Sequence, residues 1–83
     1  MANTHESINR EELRKIPAIL ETRRITCELV RIENRIENII RYFENEVAAT
    51  AITCEAGIEL EEHTYDGFIT IHRDGRLEVR LKR

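Results

Sequence analysis

No run of this sequence approaches the ~20 consecutive apolar residues that a membrane-spanning helix needs. Residues Met1 to Ser7 hold no apolar segment of the kind a secretory signal uses, so the expected location is the cytoplasm. Proline occurs once, and with 41% hydrophobic and 35% charged residues the chain is too apolar and too periodic for a disordered segment, yet too charged for a membrane protein. Its 83 residues make one domain.

Cysteine is scarce as well. Cys27 and Cys54 are the only two, and without a secretory signal they are expected to be reduced thiols in structural or incidental roles, a disulfide between subunits being the alternative. Adding His5, His63 and His72 yields no pair at a recognised zinc-ligand spacing. No metal or cofactor is expected.

What is present begins with charge. The formal net charge is -3 with a pI near 5.6. Residues 48–72 hold Glu55, Glu59, Glu61, Glu62 and Asp66 without a lysine or arginine, whereas 73–83 hold Arg73, Arg76, Arg80, Lys82 and Arg83 against Asp74 and Glu78. Opposite charge on successive segments suits cross-strand pairing, and a basic patch for nucleic acid is the rival explanation.

The longest periodic signal is helical. Ile25, Leu29, Ile32, Ile36, Ile39 and Phe43 recur at steps of three and four, which predicts one amphipathic helix from Pro17 to Val47. Val30, Ile40 and Val47 widen its stripe beyond a coiled-coil seam, favouring a helix laid on a sheet or against an antiparallel partner. Upstream, Asn9 and Glu12 form a capping box bracketed by Ile8 and Leu13, so helix should begin near Arg10. Pro17 should kink or break it there.

Residues 48–56 read as a connector with a possible short strand, and a helix from Thr53 to about His63 competes with that reading. Beyond it, Asp66-Gly67 and Asp74-Gly75 each signal a hairpin. A three-residue loop Arg73-Asp74-Gly75 sets Ile71 opposite Leu77 and Ile69 opposite Val79. A two-residue turn at Asp66-Gly67 completes a three-stranded antiparallel meander over about 57–65, 68–73 and 76–82.

The expected fold is therefore α+β. It comprises a flexible stretch over 1–8, a helical region over 9–47, the connector over 48–56 and the meander over 57–83. Ile58, Leu60, Ile69, Ile71, Leu77, Val79 and Leu81 should face the helix. The other face gathers three rows: Tyr65, Phe68 and Arg80; His63, Thr70 and Glu78; Glu61, His72 and Arg76.

These dimensions point to self-association. A helix of about 30 residues is a rod of roughly 45 Å, against about 20 to 27 Å for the strands, and its overhang carries apolar residues. A homodimer through Ile25, Leu29, Ile32, Ile36, Ile39, Ile40 and Phe43 is the simplest cover, and the rival is a folded-back N-terminal helix whose Leu13, Ile16, Ile19 and Leu20 cover the overhang within one chain. The functional expectation is a non-enzymatic interaction module, an adaptor, inhibitor or regulator that is a homo-oligomer and binds an unidentified protein. The alternative is a nucleic-acid-binding regulator using Tyr65, Phe68, Arg76, Arg80, Lys82 and Arg83. An enzyme is least favoured, because His63, His72, Glu61 and Cys54 are the only acid, base or nucleophile candidates and no nucleophile pairs with a base. The acidic group Glu59, Glu61 and Glu62 is read as solvated.

Overall fold

The computed structural model describes residues 7–31 and 35–82. The chain is α+β: short helices cover one face of a four-stranded antiparallel sheet, and the other face is open. The first helix, α1 (Arg10–Arg14), starts where the capping residues place it, with Asn9 accepting a hydrogen bond from the Glu12 amide at 3.2 Å. Lys15 then bends the chain. The second helix, α2 (Ile16–Thr22), carries Pro17 in its first turn, where the missing amide hydrogen costs nothing.

The single long helix over 17–47 is not what forms. Arg24 adopts a φ of 59°, ending α2, and Ile25–Cys27 becomes a short strand, β1. Alternation of buried Ile25, exposed Thr26 and buried Cys27 has a period of two, so Ile25 serves a strand face as readily as a helix stripe. Helix resumes as a single turn, α3 (Glu28–Arg31), and as α4 (Arg35–Asn45).

Nor is there a connector as far as residue 56, or a helix over 53–63. Ala51–Leu60 is strand β2, His63–His72 is β3 and Leu77–Leu81 is β4, in the spatial order β1-β2-β3-β4. The sheet therefore has four strands where the sequence predicts three.

The tight turn between β2 and β3 lies at Glu61-Glu62, with φ of 50° and 69°. Positive φ at both central residues is the twist-matched geometry of two-residue hairpins, ordinarily filled by Asn-Gly. Glutamates there are strained. Replacing the pair by Glu61→Asn with Glu62→Gly is expected to stabilise the protein by about 1 kcal/mol, read as a higher urea midpoint at unchanged slope.

Asp66-Gly67, the expected turn, lies inside β3 instead. Gly67 faces Ala56, and a Cβ on it would stand 2.5 Å from the Arg80 carbonyl oxygen on β4. This glycine permits close strand approach rather than reversal. The second hairpin forms as its loop length requires: Ile71 opposes Leu77 and Ile69 opposes Val79. Its loop is fastened by Asp74, whose carboxylate accepts from the Arg76 amide at 3.1 Å, and by Gly75 at a φ of 96°.

Leu13, Ile16, Phe43, Ile69 and Ile71 form the fully enclosed centre of the core. The helices bury Leu20, Val30, Ile36, Ile39 and Ile40 around it, and the sheet adds Ile25, Cys27, Ala56 and Ile58. Sheet length now exceeds helix length: the ten-residue strands of the β2–β3 hairpin reach roughly 33 Å, against roughly 16 Å for α4. The molecule measures 49 × 28 × 16 Å, and its radius of gyration of 13.3 Å exceeds the roughly 12 Å of a rounder chain this long.

Candidate interaction surface

The residues expected to mediate self-association are occupied within the chain itself. Ile25, Ile36, Ile39, Ile40 and Phe43 are buried, and Leu29 is half-buried against the same cluster; Ile32 lies outside the described residues. What covers them is the N-terminal helix pair, through Leu13, Ile16 and Leu20. Two surface ion pairs, Arg10 with Glu44 and Arg14 with Glu37 at 2.7 Å, link α1 to α4. Arg14 holds the Glu37 carboxyl below its ordinary value, mainly by hydrogen bonding.

The exposed aromatic surface is also rearranged. Because the turn lies at Glu61-Glu62, Phe68 is flanked by Glu55 of β2 and Arg80 of β4, and Thr70 by Thr53 and Glu78. Tyr65 instead opposes Ile58, on the helix-covered side with Ile69 and Ile71. The predicted row of Tyr65, Phe68 and Arg80 thus keeps only its last two members, and the row of His63, Thr70 and Glu78 loses His63. Glu61 belongs to the turn and does not meet His72, whose Nδ1 lies 3.3 Å from the Arg76 guanidinium. Arg83 lies outside the described residues. The parity of Ile58 and Leu60 nevertheless matches expectation: moving the turn displaces β2 by ten residues, an even number, so both stay on the helix side while Tyr65 and His63 change face.

The open face has a shallow cavity of about 320 Å³ beside Gly57, lined by Thr26, Glu28, Glu55, Asp66 and Lys82. Arg80 and Lys82 both approach the Phe68 ring, each 5.9 Å from its centroid. Among the described residues no group of three or more His, Cys, Asp or Glu side chains could hold a metal ion, and no helix is long and apolar enough to cross a membrane.

The sheet ends in two edge strands, β1 and β4, and the outer edge of β4 has a strand on one side only. His72 donates to the Arg76 carbonyl at 2.8 Å and Lys82 donates to the Asp66 carbonyl at 2.9 Å. Even-numbered residues of this strand therefore turn their backbone groups towards β3. Leu77, Val79 and Leu81 turn theirs outward, as alternation along an antiparallel strand requires. Towards the same end of the sheet, Leu60 of β2, Tyr65 of β3 and Leu81 of β4 are each more than two-fifths exposed on the helix side. Comparison with protein-family models, curated proteins and solved structures finds no match to this chain. Function has to be read from these surfaces.

No sequence signal isolates the β4 edge, because a strand becomes an edge only when the order of the sheet is known. Once that order is known, the segment is informative. Leu77-Glu78-Val79-Arg80-Leu81 is its own complement in an antiparallel register centred on Val79. Leucine then meets leucine, and Glu78 meets Arg80.

Proposed function

We propose that the chain is a small non-enzymatic interaction module that works as a homodimer, two copies joining their β4 edges into one eight-stranded sheet. The self-complementarity of Leu77–Leu81 carries this reading. In the centred register the outward amides and carbonyls of Leu77, Val79 and Leu81 pair with those of the second copy's Leu81, Val79 and Leu77. Glu78 and Arg80 fall in the closer, non-hydrogen-bonded positions, where opposite charges stabilise by roughly 0.2–1 kcal/mol per pair. Edge charges ordinarily repel a second edge. Here their order makes them attract. Exposed Leu81 gains the second copy's Leu77 as cover, and the joined open faces offer a charged surface to a further protein.

The test uses charge reversal. Light scattering is expected to report about twice 9.8 kDa for the native chain at high micromolar concentration. Glu78→Arg and Arg80→Glu should each give monomers. Mixed together they should form a heterodimer, since each supplies the sign that the other lacks. Two singly substituted chains that dimerise as well as the native one, or a mixture that stays monomeric, would refute the edge pairing.

A nucleic-acid reading has one observation in its favour, the approach of Arg80 and Lys82 to the Phe68 ring on the open face. Against it stand Glu55, Asp66 and Glu78 on the same face, and Tyr65 on the other. Salt-sensitive binding of a single-stranded oligonucleotide, lost in Phe68→Ala, would favour it over the protein-binding role. An enzymatic role has less support. His63 and His72 occupy opposite ends of β3, and Cys54 lies on the helix-covered face.

A further inference from the structure

Two cysteines that are 27 positions apart in sequence are neighbours in space. Cys27 closes β1 opposite Ala56, and Cys54 stands two residues along β2 on the same, helix-covered face. Their sulfurs are 3.1 Å apart, and both are free thiols. Cys27 is only 2% exposed, yet it lines a cavity of about 510 Å³ with Pro17, Leu20, Glu21, Val30 and Arg31. A small solute entering that cavity reaches the wall that Cys27 helps to form.

We propose that Cys27 and Cys54 are a redox site, a dithiol that a peroxide converts to a disulfide within one chain. The Cys27 thiolate attacks one peroxide oxygen and the O–O bond breaks, leaving a sulfenic acid on Cys27 and hydroxide, which takes a proton from solvent. The Cys54 sulfur then displaces the sulfenic hydroxyl, and the Cys54 proton leaves with it as water. Two thiols are oxidised to one disulfide, and hydrogen peroxide is reduced to two waters. Closing the sulfurs from 3.1 Å to the roughly 2.05 Å of a disulfide asks for a movement of about 1 Å. A low-molecular-weight thiol reverses the change by thiol–disulfide exchange.

The chemistry around Cys27 favours it as the attacking sulfur. A hydrogen bond from Cys54, reinforced by the Leu29 and Val30 amides, lowers its pKa to about 6 against burial and the nearby Glu28 carboxylate. The same bond holds the Cys54 thiol protonated by raising its pKa. Cys54 of β2 and Glu28 of α3 act on Cys27 directly, and the charged side chains lining the cavity are Glu21 of α2 and Arg31 of α3. Oxidation should therefore rise with pH through a midpoint near 6 rather than near the ordinary thiol value.

The experiment treats the folded full-length chain with hydrogen peroxide and follows intact mass without reductant. Loss of two hydrogens, with a Cys27–Cys54 linkage in the digest and no cross-linked dimer, is the expected result. Because the new bond closes the loop carrying α3 and α4, Tm should rise by roughly 10 °C and fall again with reductant. Cys54→Ser should stop at a Cys27 sulfenic acid that dimedone captures, and Cys27→Ser should react at least tenfold more slowly near neutral pH. A folded protein that stays reduced while its urea-unfolded form oxidises would overturn the proposal. So would a disulfide between chains in place of the internal one, or equal rates for the two variants.

Discussion

Gly67→Ala is expected to destabilise the protein by about 3 kcal/mol, a change that a urea titration resolves easily. A Cβ at this position would stand 2.5 Å from the Arg80 carbonyl oxygen and would also run into the end of the Ile58 side chain. Ile58 can change rotamer. Arg80 cannot withdraw its carbonyl without opening the β3–β4 ladder, because that oxygen belongs to the strand pairing with Phe68. Gly57 is the internal control, since its Cβ would find Thr64 Cγ2 at 3.7 Å and Thr26 Cβ at 4.0 Å, which are ordinary contacts. Gly57→Ala should therefore be neutral or stabilise by up to about 1 kcal/mol through the unfolded state. Equal effects at the two glycines would refute this account of why Gly67 interrupts β3 without turning it.

Arg73→Met is expected to cost about 3 kcal/mol, at unchanged m-value if the denatured state is unaltered. Arg73 is 6% exposed although it stands at a hairpin loop. Its guanidinium donates to the carbonyls of Glu46 and Ala49, at 3.2 and 3.1 Å, and lies 5.8 Å from the centroid of the enclosed Phe43 ring. Its backbone adds two more ties: the amide donates to Thr50 at 2.8 Å, and the carbonyl accepts from Asn9 at 3.2 Å. One residue thus joins the β3–β4 loop to the segment after α4 and to the start of α1. Methionine fills the volume but leaves two carbonyls without their charged donor, and those hydrogen bonds are the stronger kind. Arg73→Lys retains charge without the planar fork, and about half the loss is expected. An Arg73→Met protein as stable as the native one would show that the guanidinium is incidental to the core.

Against a total stability of roughly 4 to 12 kcal/mol for a domain of this length, each of these changes is a large fraction. The thinness of the core explains why. One layer of short helices covers one face of one sheet, so few residues share the load.

Some of this architecture was legible in the residues alone. Asn9 with Glu12 marked the first helix, and Pro17 marked its interruption. The Arg73-Asp74-Gly75 loop was determined by which loop length keeps Ile69, Ile71, Leu77 and Val79 on one face. Each of these signals acts within a few residues, so a local reading can weigh it completely. The first hairpin lacked such a marker. Glu61-Glu62 has no turn propensity, and the Asp66-Gly67 pair that does have it was taken up by strand packing instead.

Local chemistry therefore determined the α+β class, the first cap, the last hairpin and the inward side of Ile58, Ile69, Ile71, Leu77 and Val79. Long-range pairing decided the rest: β1 was drawn out of a helical pattern, β2 was lengthened to ten residues, and the helix stripe was consumed as core. The physical reason is additive. A full-length ladder of hydrogen bonds and cross-strand contacts outweighs about 1 kcal/mol of strain at each left-handed glutamate, and no single segment of sequence contains both sides of that balance.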